Sequence, residues 1–238
     1  MAESMAKVGH SSLPFYQTAC GAVSARLLRR QFRGMWPDLR GQAVLGLGYA
    51  EPYLRLWREQ AARTIAALPE HVGLRPWPRN RPSLACAVID DALPFADLSF
   101  DRILLVHELE STDNSRRLLR EIWRVLKDDG RLLLVAPNRS GLWAHSERTP
   151  FGQGRPFSPG QLNRVLTDAC FRVERRESAL FLPPTNWRFL LRSAEVWECV
   201  GHTLMPQFAG VLLVEAAKDA YAPIPTGAAR RLVVMEPV

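Results

Sequence analysis

The segment DRILLVHELE, residues 101–110, ends an apolar run in His107, Glu108 and Glu110. Histidine changes charge near neutral pH and can serve as a general base, while a nearby carboxylate can orient it. At the carboxyl end of a parallel strand these residues would face the crevice where open α/β sheets hold ligands. Packing of His107 against the following crossover is the competing reading, and the residues alone leave both open. Glu110 is placed either to cap the next helix or to line a pocket. A second concentration of chemistry lies in residues 138–157, a connection rich in Gly, Pro, Arg and aromatics. Connections of this kind tend to form lids or substrate walls. Its candidate substrate residues are Asn138, Arg139, Trp143, Arg155 and Phe157. Arg139 and Arg155 could clamp a carboxylate or phosphate through paired N–H groups, or serve only as surface ion-pair partners. His10, His71, His107, His145 and His202 show no ligand spacing with one another or with cysteine, so no metal is expected. No serine stands in a nucleophile-elbow pattern.

The scaffold for these residues is legible in the hydrophobic pattern. Tyr16, Cys20, Val23, Leu27, Leu28, Phe32 and Met35 recur at three- and four-residue steps, which predicts a helix over 15–36 closed by Pro37. Apolar runs at 43–47, 62–68, 83–89, 101–109 and 131–137 read as strands. A second helical pattern runs through Tyr53, Leu56 and Trp57. Asn114 caps a helix striped by Leu118, Leu119, Ile122, Trp123 and Leu126, with Asp129-Gly130 as its stop and Gly130 as a left-handed cap. Ser158 and Pro159 open another helix that runs to about residue 169. RVERRESALFL is a strand, PTNWRFLLRSAEVWECV an aromatic helix, and FAGVLLVEAAK a closing strand. Strand–helix alternation at this spacing implies a mostly parallel sheet with crossover helices.

The 238 residues carry a net charge of +7 and ordinary globular proportions, 47% hydrophobic and 23% charged. Positive charge favours anionic partners, but the arginines are dispersed rather than massed in one tract, so nucleic acid is disfavoured. Cys20, Cys86, Cys170 and Cys199 form no close pair, which argues against a zinc ribbon or a disulfide scaffold. No run reads as a signal peptide or a membrane span. A single cytoplasmic domain over 1–238 is expected, with 1–36 as a helical cap, 40–140 as the core and 141–238 as the substrate-side part.

The stretch GQAVLGLGYAEPYL, residues 41–54, with ALPFADLSFDRILLVHELE and LLREIWRVLKDDGRLLLVAPNRSGLW, resembles the class I S-adenosylmethionine-dependent methyltransferases, of the small-molecule type related to the ubiquinone and menaquinone methylases. The resemblance covers roughly residues 40–140. It implies an α/β, Rossmann-like fold with a mostly parallel seven-stranded sheet whose last strand is antiparallel. It also implies S-adenosylmethionine as cofactor and a small-molecule acceptor, with a homodimer or a protein partner left open. In the family's loop of an acid and three glycines, Gly46 takes the acid's place and Gly48 the first glycine's. Ala50 and Pro52 take the second and third, with Tyr49 between them and Gly48. Leu68 stands where an acid would hold the ribose, and Glu70 or Glu51 is the candidate substitute. Ile89 stands where an acid would meet adenine, and Asp90 and Asp91 follow it. Tyr16, on the N-terminal helix, would close over the cofactor or merely anchor that helix. These departures also admit a methyltransferase-fold protein without methyl transfer, binding another ligand or a protein through Trp187, Phe189 and Trp197.

Overall fold

A computed structural model describes residues 14–69, 74–78 and 81–219. Seven strands form one sheet: β1 (Ala43–Gly48), β2 (Arg63–Pro69), β3 (Ala85–Val88), β4 (Phe100–Val106), β5 (Leu126–Pro137), β6 (Phe171–Ala179) and β7 (Val211–Lys218). Their order is β3-β2-β1-β4-β5-β7-β6. Strands β1 to β5 pair in parallel, and β7 runs antiparallel between β5 and β6. The sequence order reverses between β1 and β4, which makes their carboxyl ends the switch point where such sheets bind ligands.

Alternation along the inner strands loads both faces. Val44, Leu104, Val106, Leu133 and Val135 pack on one side with Leu28 and Phe32 of helix α1 (Ala19–Met35). Leu45, Leu105 and Leu134 pack on the other with Leu119 and Ile122 of α3 (Ser115–Val125) and Leu162 of α4 (Pro159–Asp168). Short α2 (Glu51–Leu54) follows β1. Helices α1, α3 and α4 each open on a side-chain cap: Thr18 accepts from Gly21 N, Asn114 from Arg117 N, and Ser158 forms a capping box with Gln161.

Several expected boundaries shift. The helix after Asn114 stops at Val125, and the chain is already extended at Leu126. Gly130 therefore lies inside β5 and is no left-handed cap; positive φ occurs at Gly41 and Gly48 among the described glycines. Its lack of a side chain has another cause, since a Cβ there would sit 2.6 Å from Leu126 Cδ1. The pattern through Leu56 and Trp57 is helical only to Leu54. The expected aromatic helix is two, α5 (Arg188–Arg192) and α6 (Ala194–Leu204). They break at Ser193, whose hydroxyl donates to Phe189 O and Leu190 O.

Candidate functional site

The turn after β1 is shaped by Gly48, at φ 71°. A Cβ there would lie 2.3 Å from Val106 O of β4, so the close passage of β1 against β4 requires glycine. Gly46 serves packing instead, since a Cβ would strike Leu54 Cδ1 at 2.6 Å and Ala50 Cβ at 2.7 Å. Beyond the turn the Tyr49 ring stacks on Tyr16, with centroids 4.8 Å apart and planes 12° apart. Ala50 is buried and stands just before α2 as its N-cap.

Strand β4 ends at Val106, and His107 takes φ 58°, a left-handed conformation uncommon for residues with a side chain. That twist aims the ring across the switch point. Its Nδ1 lies 3.0 Å from Glu110 Oε1 and its Nε2 lies 2.9 Å from Tyr16 Oη. Tyr53 Oη donates to Tyr16 Oη over 2.9 Å. The donors then fall into one sense: Tyr53 to Tyr16, Tyr16 to His107 Nε2, and His107 Nδ1–H to the Glu110 carboxylate. Burial and the neighbouring Tyr53 hold the Tyr16 phenol well above its ordinary pKa, so it remains a donor. The His107 and Glu110 side chains are 2% and 1% exposed. Phe151 closes over the imidazole, with centroids 4.6 Å apart.

Two buried carboxylate oxygens in this region, Glu108 Oε1 and Glu110 Oε2, have no hydrogen-bond partner among the described residues. Burial raises the Glu108 carboxyl well above the usual range, with the charge of Asp90, a hydrogen bond to it and the charge of Glu110 adding to the shift. The native state therefore keeps a proton that the unfolded chain gives up near pH 4.3, about the ordinary glutamate value. Stability linked to this proton is full below the unfolded pKa and declines as pH rises towards and through the raised native one. Glu108→Gln should accordingly melt near the parent temperature at about pH 4 and above it at about pH 8. Thermal unfolding across a pH series measures this, and parallel curves for the two proteins would refute it.

The remaining candidates divide. Glu51 is buried at the start of α2 and receives Arg75 Nη2 at 2.7 Å and Nε at 3.1 Å. The Arg75 guanidinium also lies over the Tyr49 ring, 5.3 Å from its centroid. Leu68 is 0% exposed at the end of β2, paired with Ala87. Glu70 lies outside the described residues. Asp90 stands beside Glu108, whereas Asp91 reaches Arg117 at the surface over 3.1 Å. Asn138 is buried and donates to Gln207 O and Ala209 O, which binds β5 to the approach of β7. Trp143 is 1% exposed and donates to Leu182 O at 2.7 Å. Arg139, Arg155 and Phe157 come together, with Arg164 and Thr112, around a cleft of about 330 Å³. A larger cleft of about 650 Å³ opens between Phe15, Thr18, Arg148, Thr149, Gln153 and Trp187. Phe15 and Phe151, in edge contact 6.3 Å apart, place that cleft next to the aromatic roof over His107.

Tyr53, Arg75 and Phe151 join this region without having been marked as site residues by the sequence. Tyr53 had a signal, four residues after Tyr49 on one helical face. Arg75 had none, because its place depends on how the segment after β2 folds back. Among the described residues no group of His, Cys, Asp and Glu is arranged to hold a metal. No described helix is long and apolar enough to cross a membrane.

The strand order and the glycine turn define a class I methyltransferase fold. Residues 35–134 match the family described as a methyltransferase domain. Uncharacterized proteins of Mycobacterium tuberculosis and Mycobacterium bovis are 26% identical over 152 residues, 61% of this chain and 51% of theirs. The chain thus spans about half the length of these relatives. Among solved structures, a methyltransferase from Thermotoga maritima described as a possible histamine N-methyltransferase superposes with a TM-score of 0.59 at 17% identity, over 86% of this chain and 93% of that one. A Haloferax volcanii putative methyltransferase complexed with its activator Trm112 gives 0.60 at 19% identity, with the same coverage. The [4+2]-cyclase SpnF gives 0.55 at 20% identity, over 80% of this chain and 79% of that one.

Proposed function

We propose that this protein transfers a methyl group from S-adenosylmethionine to a small-molecule acceptor, with His107 as the base that takes the acceptor's proton. The observation that carries the reading is the buried line Tyr53–Tyr16–His107–Glu110 at the switch point between β1 and β4. The residues present fit the cofactor's positively charged end. Glu108 Oε1 and Glu110 Oε2 are buried acceptors without partners, and an unpaired buried acceptor favours a cationic or N–H-bearing ligand. Gly48 keeps the turn beneath it, and Glu51 is the described carboxylate beside that turn for the ribose. When bound, the cofactor supplies an electrophilic methyl group. Glu110 fixes the His107 tautomer with the proton on Nδ1, which leaves the Nε2 lone pair to receive a proton. Tyr16 Oη occupies that lone pair here, so an acceptor hydroxyl or amine reaches it by displacing the phenol. The acceptor proton then passes to Nε2, and Glu110 stabilises the resulting imidazolium. The cleft beside Phe15 and Thr149 is the route in, and residues 138–157 with the start of the N-terminal helix form the roof.

The opposing reading, a methyltransferase fold without methyl transfer, draws on Leu68 in the ribose-acid position and on Glu51 being engaged by Arg75. Calorimetric titration with S-adenosylmethionine separates the two. Binding is expected with a Kd of about tens of micromolar, near −6 to −7 kcal/mol, because ribose recognition is weakened. Glu51→Gln should weaken it by roughly tenfold, the worth of one charged hydrogen bond. An absence of heat with both proteins would favour the opposing reading.

A further inference from the structure

Of the thirteen large apolar side chains exposed among the described residues, eight lie between Trp187 and Phe208. Trp187 is 74% and Phe189 80% exposed, and both precede or begin α5. On α6 the inward side is fixed by three residues. Ala194 is buried, Gly201 is pressed against the Phe181 ring, and Glu198 turns in to accept from Leu180 N and Phe181 N. A 100° turn per residue puts Val196 and Val200 on the far side and Leu204 on the adjoining flank, four residues apart, all exposed. This helix therefore shows water an apolar stripe, the reverse of what a surface helix of a self-contained fold does.

The rim of the stripe is cationic. Helix α1 meets α6 through Arg30 and Glu195, 3.9 Å apart. Arg26, Arg29, Arg30 and Arg33 of α1 line a groove of about 580 Å³. Arg188 and Arg192, one turn apart on α5, are exposed beside the aromatic residues. Across α5 and α6 the carboxylates are Glu195, already paired, and Glu198, turned inward. Apolar residues flanked by arginines, with aromatics at the boundary, match the layering of a bilayer surface bearing anionic headgroups. A second copy of the chain would set arginine rim against arginine rim. Nucleic acid would leave the apolar stripe facing phosphates.

We propose that α5 and α6 form a membrane-surface docking face that lies in the headgroup layer of an anionic bilayer, steered by the arginines of α1 and α5. The test is co-sedimentation of the full chain with vesicles of phosphatidylcholine alone and with vesicles carrying roughly 30% phosphatidylglycerol. Partitioning onto the anionic vesicles should exceed the neutral ones by at least tenfold at about 0.1 M salt and collapse at about 0.5 M. Arg188→Ala with Arg192→Ala should cost about 30-fold, from roughly fivefold per arginine. Trp187→Ser with Phe189→Ser should cost about tenfold or more. Arg116→Ala with Arg120→Ala, on α3 across the sheet, should change nothing. All three double variants alter exposed positions, and unchanged thermal melting confirms that each is folded. Equal sedimentation with both vesicle types, or with neither, overturns the proposal. So does light scattering that shows a dimer dissociated by the Trp187 and Phe189 pair, which would make the face an interface between copies.

Discussion

Replacing His107 with Asn should lower kcat for methyl transfer by about 10²–10⁴-fold, the span ascribed to a positioned general base. KM for the acceptor should move little, because the lost interaction matters only as the proton leaves. Asn is the instructive substitution, since it tolerates the left-handed backbone that His107 holds at φ 58°. It removes the base without unwinding the end of β4. Transfer of a labelled methyl group from S-adenosylmethionine to an acceptor found by screening provides the measurement. The companion Tyr16→Phe vacates Nε2, now 2.9 Å from the Tyr16 hydroxyl, and keeps the ring that stacks on Tyr49. If the acceptor displaces that hydroxyl, Tyr16→Phe should retain most of kcat and reduce KM. Near-parental kcat in His107→Asn would show that His107 only organises the buried cluster and that transfer proceeds from an acceptor already deprotonated.

Much of the scaffold was readable because it rests on short-range pattern. The apolar run before Pro137 had to be buried on both faces, and it is a central strand between β4 and β7. The switch point followed from strand order, and with it the position of His107. What the pattern could not give was direction. Glu51 and Asp90 both follow strand ends, yet one meets Arg75 and the other stands beside Glu108. Those partners come from segments whose return path has no periodicity. Gly130 misled for a related reason: glycine after a helix suggests a left-handed cap, but here it relieves a contact with Leu126. The left-handed residue at the end of β4 is His107, which no local rule marks.

Trp143 shows the same limit most sharply, and its replacement should have one of the largest effects on stability. As a tryptophan in a long loop after β5 it reads as a wall for substrate, but the folded chain spends it on packing. Its ring meets Phe151 and Phe15 edge-on, with centroids 5.4 Å and 6.2 Å away. Gly210 lies so close that a Cβ there would come within 2.2 Å of Trp143 Cδ1. Trp143→Ala should therefore cost about 3–5 kcal/mol, since a rigid surround leaves a cavity that it cannot fill. Trp143→Phe keeps most of the contact but strands the Leu182 carbonyl that the indole N–H now serves, for a loss of roughly 1–3 kcal/mol. Urea unfolding of the three proteins orders them. Because Phe15 and Phe151 lean on this ring, Trp143→Ala should also speed amide exchange at residues 14–18 and 149–153 before global unfolding. A Trp143→Ala protein of parental stability whose only defect is a raised acceptor KM would return this residue to the substrate wall.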